Sequence, residues 1–133
     1  MNICICTVLE DTYPYWNHII ANFQPSTVYH IDKFPSDLSR KKTLSRAKKI
    51  SSIEEIPGTL VLCSPMTATH YPGTVSLTDF SHPEDCTYIF GDDGKAISSE
   101  EFGKSTPDYT LYIPFMLEVH AHVAASIVLW SRK

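Results

Sequence analysis

Apolar positions along the chain switch repeatedly between two periods. Asn2 to Val8 is rich in Ile, Cys and Val and reads as a first, largely buried strand. Pro14, preceded by Glu10, Asp11 and Thr12, suits the start of a helix, and Tyr15, Trp16, Ile19, Ile20 and Phe23 then recur at helical spacing until Pro25. Thr27 to Ile31 predicts a second strand. Thr59 to Leu62, entered from Pro57 and Gly58, predicts a third, and Arg40 to Ser51 between them is polar and basic with no clear element. Thr74 to Leu77 predicts a short strand, Thr87 to Phe90 a clearer one that stops at Gly91-Asp92-Asp93-Gly94, and Thr110 to Ile113 a last one ended by Pro114. From about Leu117 to Trp130 the pattern predicts a helix that is apolar on more than one side. Val119, Val123, Ile127 and Trp130 form one stripe, with Ala121, Ala124, Ala125 and Val128 beside it. Such a helix needs cover on two faces, a sheet on one and a partner subunit on the other. Strands alternating with helical stretches predict an open, parallel α/β sheet with helices on both faces.

Length fits one domain over residues 1–133. No apolar run approaches the ~20 residues of a membrane span, and the N-terminus has neither a basic leader nor a long apolar core with a cleavage site, so a soluble, cytoplasmic protein is expected, with no membrane partner. Cys4, Cys6, Cys63 and Cys86 fall in or beside strand-like runs and make no Cys-x-x-Cys pair, which favours free buried thiols over disulfides or metal.

The net charge of −4 argues against a nucleic-acid partner, but its distribution reverses part of that argument. Arg40, Lys41, Lys42, Arg46, Lys48 and Lys49 are six of the eleven basic residues, and no acid interrupts them. The segment reads either as a solvated face or as a contact for a nucleic-acid backbone, since clustered cations position phosphates without reading sequence.

The sharpest chemical feature is the run Tyr88-Ile89-Phe90-Gly91-Asp92-Asp93-Gly94, an apolar strand entering a turn with two glycines. Ligands of open α/β sheets bind at the carboxyl ends of strands, where glycine permits close approach. Alone, the run reads as a tight turn more readily than as a ligand loop. Neither a Walker phosphate loop nor a Gly-x-Gly-x-x-Gly pattern occurs. Downstream, Leu111-Tyr112-Ile113-Pro114-Phe115-Met116 leads into Glu118-Val119-His120-Ala121-His122-Val123-Ala124-Ala125-Ser126-Ile127. The two runs, with Leu77-Thr78-Asp79-Phe80 and Pro83 before them, resemble the last motifs of the SPOUT methyltransferases, in the SpoU or TrmH branch of RNA ribose 2′-O-methyltransferases. The likeness extends from about residue 60 to the end.

The resemblance implies a C-terminal trefoil knot, a homodimer, S-adenosylmethionine as cofactor, and tRNA or rRNA rather than DNA as substrate. Carried over by position, it implies a cofactor pocket lined by Leu62, Cys63 and Ser64, by Phe90, Gly91 and Asp93, and by Tyr112, Ile113 and Pro114, with Val123 packing near the adenine and the dimer interface. Asp93 stands where the family has Glu, His120 where it has Asn, and Glu118 where it has Ser. In the first helix, His18 falls at the position of the catalytic Arg and Thr12 at that of an Asn. His18 reads either as a general base replacing that Arg or as a surface residue on an amphipathic helix, and His120 is a second catalytic candidate. Tyr13, Tyr15 and Trp16 are candidates to stack an unpaired base, although Trp16 fits a core equally well. Metal binding by His120 and His122 is not expected, because residues two apart on a helix point different ways.

Overall fold

A computed structural model describes residues 1–6, 8, 10–31, 44, 46–63, 73–91, 107–114 and 120–132. These residues form strands β1 (Asn2–Ile5), β2 (Val28–Ile31), β3 (Lys48–Ile50), β4 (Leu60–Cys63), β5 (Val75–Ser76), β6 (Thr87–Phe90) and β7 (Tyr109–Tyr112). Helix α1 spans Tyr13–Phe23 and helix α2 spans Ala121–Ser131. The strands make one sheet in the order β3-β2-β1-β6-β4-β7-β5, and every pairing is parallel.

Parallel strands in the middle of such a sheet are covered on both faces, so their residues are apolar without alternation. All four residues of β6 and of β2 are buried, and Ile3, Cys4 and Ile5 of β1 are fully inaccessible. On one face Ile3, Ile5, Tyr88 and Phe90 join Val61 and Leu111 beneath the helices, with Trp16 and Ile19 from α1 and Ala125, Val128 and Leu129 from α2. On the other, Cys4, Tyr29, Ile31, Leu62 and Ile89 pack with Ile53 and Ile56. Both α-helices among the described residues therefore lie on one face. A single 3₁₀ turn at Ile53–Glu55 contributes to the other, held by a capping box in which Ser52 Oγ accepts from the Glu54 N–H and the Glu55 carboxylate accepts from the Ser52 N–H at 2.9 Å.

The edges differ from the middle. β3 and β5 are short and largely exposed, and β3 presents Lys48 and Lys49, which keep an open edge from pairing with another chain. The sequence left this stretch without an element because two of its three residues are lysines. At β7, the Asp108 carboxylate accepts from the Leu60 N–H at 2.8 Å while the Asp108 N–H donates to the Leu60 carbonyl, so the start of β7 is pinned to β4.

β7 lies between β4 and β5, two strands that precede it in sequence. The connections that would tie the expected trefoil knot lie outside the described residues.

Both helices differ in detail from expectation. α1 stops at Gln24, whose φ of 48° and ψ of 57° place a non-glycine residue in the left-handed region, with its N–H bonded to the Ile20 carbonyl at 3.0 Å. The second helix was expected from about Leu117. The described part starts at Ala121, because His120 is extended (φ −62°, ψ 146°) and acts as the N-cap. Its buried face is Ala125, Val128 and Leu129, whereas Val123 and Trp130 of the expected stripe point outward, Trp130 at 67% exposure. The need for cover on a second face thus persists in the folded chain.

The far end of α2 is fastened by a polar cluster. Arg132 Nη1 donates to the Pro83 carbonyl at 2.7 Å and to Tyr88 Oη at 2.9 Å, and Nη2 donates to the Glu84 carbonyl. His82 Nδ1 lies 2.7 Å from Tyr88 Oη and Nε2 lies 3.1 Å from Ser131 Oγ, which donates to the Val128 carbonyl. One assignment satisfies every group. Arg132 can only donate, so Tyr88 Oη accepts from it and gives its own proton to His82 Nδ1, leaving Nε2–H to donate to Ser131. That assignment requires a neutral His82, and burial together with the Arg132 charge lowers the His82 pKa from its ordinary 6.5.

Two outcomes follow. Replacing Arg132 by Ala should lower unfolding free energy in urea by about 2 kcal/mol, the scale of lost hydrogen bonds to a charged group. The unfolded chain protonates His82 at higher pH than the folded one, so stability should fall as pH drops below about 6.5. His82→Gln should remove that part of the slope, and an unchanged slope would show that other groups cause it.

Candidate functional site

The register aligns the carboxyl ends of three strands. Phe90 lies opposite Cys63 and Cys63 opposite Leu111, so the chain leaves β6 at Gly91, β4 after Cys63 and β7 at Ile113 as immediate neighbours in space. The segments expected to line a cofactor pocket are thus brought together at one end of the sheet. Their side chains divide. Leu62 and Phe90 are both core, on opposite faces of the sheet, and Phe90 packs at 6.1 Å from the Trp16 ring. Leu62 and Phe90 can therefore meet a ligand only through their backbones. Tyr112, Ile113 and Pro114 are half-exposed, and Gly91 is buried. Ser64 and Asp93 lie outside the described residues.

Cys63, at the centre of this end, is a free thiol, as are Cys4, Cys6 and Cys86. Burial, with a smaller contribution from Cys86, pushes the Cys63 pKa far above the ordinary thiol value. It is therefore no nucleophile near neutral pH, and its small, neutral side chain suits a wall.

The remaining expected residues gather on the helical face. Tyr15, His18, Ile19, Asn22 and Phe23 of α1 and His122, Val123, Ser126, Ile127 and Trp130 of α2 line a groove of about 550 Å³. His18 is exposed there, and Val123, expected beside the cofactor, shares this groove with it. Three rings stand in file at the groove's end. Tyr15 stacks on His122 with centroids 4.9 Å apart, and His120 stacks on His122 at 5.6 Å. The expected divergence of His120 and His122 thus does not hold, because His120 precedes the helix. His122, which the sequence offered only as half of an unlikely metal pair, also meets the edge of Trp16 at 6.5 Å and so joins the groove to the Phe90 strand end. No pattern in the sequence distinguishes it, since its contacts come from α1, far away in the chain.

Trp16 is 1% exposed, which removes it as a base-stacking surface, and Tyr13 is half-buried, while Tyr15 is 54% exposed. Among the described residues no three His, Cys, Asp or Glu side chains converge as metal ligands, and no helix is long and apolar enough to cross a membrane. Of the basic segment, Arg46, Lys48 and Lys49 are exposed at the β3 edge. Arg40, Lys41 and Lys42 lie outside the described residues.

No protein-family model and no curated protein matches the sequence. Solved structures do match the fold. TrmJ from Z. mobilis ZM4 aligns with 98% of this chain at a TM-score of 0.71 and 11% identity. The SpoU methyltransferase AviRb from Streptomyces viridochromogenes, in complex with the cofactor AdoMet, aligns with 99% at 0.70 and 12% identity. The TrmH/SpoU tRNA modifying enzyme of A. aeolicus aligns with 99% at 0.68 and 11% identity. The chain thus has the fold of the SpoU/TrmH SPOUT RNA methyltransferases across nearly its whole length. It spans 66% of the TrmJ chain and 56% of the AviRb chain.

The raised pKa of half-buried Cys63 has a direct consequence. Iodoacetamide at pH 8 should label Cys63 at least about tenfold more slowly in the folded protein than in urea, as read by mass spectrometry. Equal rates would contradict a suppressed thiolate.

Proposed function

We propose that this chain binds S-adenosylmethionine at the carboxyl ends of β4, β6 and β7 and methylates a ribose 2′-hydroxyl of tRNA or rRNA. The observation that carries this reading is the convergence of the Phe90-Gly91, Cys63 and Tyr112-Ile113-Pro114 strand ends. It occurs in a fold shared with an AdoMet-bound methyltransferase. The donor set fits such a ligand. Half-exposed Tyr112, Ile113 and Pro114 offer apolar surface to an adenine, and backbone groups where the strands end remain to be satisfied by hydrogen bonds. Leu62, Cys63 and Ser64, with Phe90, Gly91 and Asp93, form the other walls.

The cofactor, when bound, supplies an electrophilic methyl group on a sulfonium. Once bound, it would give that methyl group to a ribose 2′-oxygen and leave as the neutral thioether S-adenosylhomocysteine. The chain's own residues position the ribose and take its proton. His18 accepts that proton, with His122 along the same groove and His120 stacked on the His122 ring. Arg40, Lys41, Lys42, Arg46, Lys48 and Lys49 hold RNA phosphates. The exposed Val123 and Trp130, with Tyr15 and the half-buried Ile127 in the same groove, are the face of a homodimer, which supplies the cover that α2 lacks on its second side.

A second reading is a SPOUT-like binding protein that keeps the cofactor and RNA but transfers no methyl group. His18 favours it, because an exposed imidazole stands where the resembling family has Arg.

Calorimetry with S-adenosylhomocysteine tests the site itself, and absence of binding at millimolar ligand would overturn both readings. If the ligand binds, labelled methyl transfer to bulk tRNA and rRNA separates them. His18→Ala should lower the transfer rate by about 100-fold while leaving cofactor affinity intact. Binding without any transfer by the wild type selects the second reading. For the dimer, Trp130→Glu should shift sedimentation from twice the chain mass to the monomer, and a monomeric wild type would exclude it.

A further inference from the structure

α1 is a ridge with a depression on each flank. Its residues 15, 18, 19, 22 and 23 face the groove beside α2, and its residues 17, 20, 21 and 24 face a second cavity of about 770 Å³ toward β2 and β3. That volume falls within the range of small-molecule sites. The cavity has an apolar floor of Ile20, Val28 and Leu44, and Leu44 is only 3% exposed. Its polar lining includes Arg46, Lys48, Gln24 and Thr27, and no carboxylate among the described residues lines it. On a chain of net charge −4, two cations side by side in one lining are a local reversal of sign.

Two observations point to a ligand there. The side chains of Arg46 and Lys48 take part in no hydrogen bond or ion pair among the described residues, and both are exposed, so their charges are uncommitted. They share one cavity with the apolar side chains of Ile20, Val28 and Leu44 and with the amide of Gln24 and the hydroxyl of Thr27. Cations beside an apolar floor with amide and hydroxyl groups match a ligand that is anionic at one end and flat and apolar at the other.

We infer that this cavity binds a nucleotide phosphate, with the phosphate on Arg46 and Lys48 and the base over Ile20, Val28 and Leu44. The same chemistry is offered by a free mononucleotide and by one residue of an RNA strand, and only the strand version rests on the function proposed above. In that version the cavity holds RNA away from the reacting ribose. Lys48 pairs with Tyr29, Tyr29 with Cys4 and Cys4 with Ile89, so three strand spacings, about 14 Å, separate it from β6.

Amide chemical shifts of the full chain provide the test. Adenosine 5′-monophosphate should shift the Gln24, Thr27 and Lys48 amides saturably, with dissociation constants on the order of millimolar. Adenosine, lacking the phosphate, should bind at least about tenfold more weakly, and the pair Arg46→Glu and Lys48→Glu should abolish the shifts; both residues are exposed, so the fold should persist. A short oligoadenylate that binds more tightly than the mononucleotide assigns the seat to an RNA strand, and equal affinities assign it to a free nucleotide. No saturable shift at these amides, shifts that survive both charge reversals, or equal shifts with inorganic phosphate would overturn the inference. S-adenosylhomocysteine titrated into the same wild-type sample reports the strand-end site separately. Loss of one response with the other intact therefore identifies which proposal has failed.

Discussion

Every pairing among the described strands is parallel, and that one constraint organises the molecule. A parallel sheet cannot be closed by tight hairpins, so each strand needs a crossing segment, and the amino ends collect at one end of the sheet while the carboxyl ends collect at the other. The carboxyl end is where β4, β6 and β7 stop beside one another, with Phe90, Cys63 and Leu111 in register. Both-sided burial follows from the same constraint. Tyr88 and Phe90 serve the helical face and Ile89 the opposite one, so β6 has no residue to spare for a ligand except through its backbone and its exit at Gly91.

The helical face carries a different kind of chemistry from the strand ends. α1 and α2 meet over β6, and their ring contacts run from Phe90 through Trp16 to His122 and on to Tyr15 and His120. α1 borders both the groove where His18 stands and the cavity beneath Arg46 and Lys48, so the spacing of its residues decides which depression each side chain serves.

Much of the framework was legible in the sequence, for physical reasons that differ by element. β1, β2, β4 and β6 announce themselves as short runs of Ile, Val, Leu, Cys and aromatic residues, because strands buried on both faces tolerate little else. The C-terminal runs around Phe90-Gly91 and Ile113-Pro114 pointed to the SPOUT fold, and the structure aligns with that fold at 11–16% identity. β3 was illegible, since an edge strand needs backbone partners more than apolar side chains, and Lys48-Lys49-Ile50 supplies only one buried residue. The start of α2 was read too early because Val119 and His120 continue the apolar rhythm, while only the backbone of His120 reveals the cap. Leu62 and Phe90 do stand near the carboxyl ends of β4 and β6, but their burial on opposite faces could not be read from their positions in the motif. His122 and the Arg132 cluster stayed hidden because their partners, Tyr15 and residues 82–88, are distant in sequence.

The Arg132 cluster also has a bearing on the order in which the chain assembles. Its partners, Pro83, Glu84 and Tyr88, become correctly spaced only after Tyr88 is seated between Ile3 on β1 and Val61 on β4. Asn2 meets Thr87, a partner far away in the chain, and such distant pairings are slow to form because the loop entropy is lost before the contact is gained. The guanidinium therefore closes on a sheet that already exists, so its bonds belong to the last stage of folding and act as a brake on the first stage of unravelling from the C-terminus.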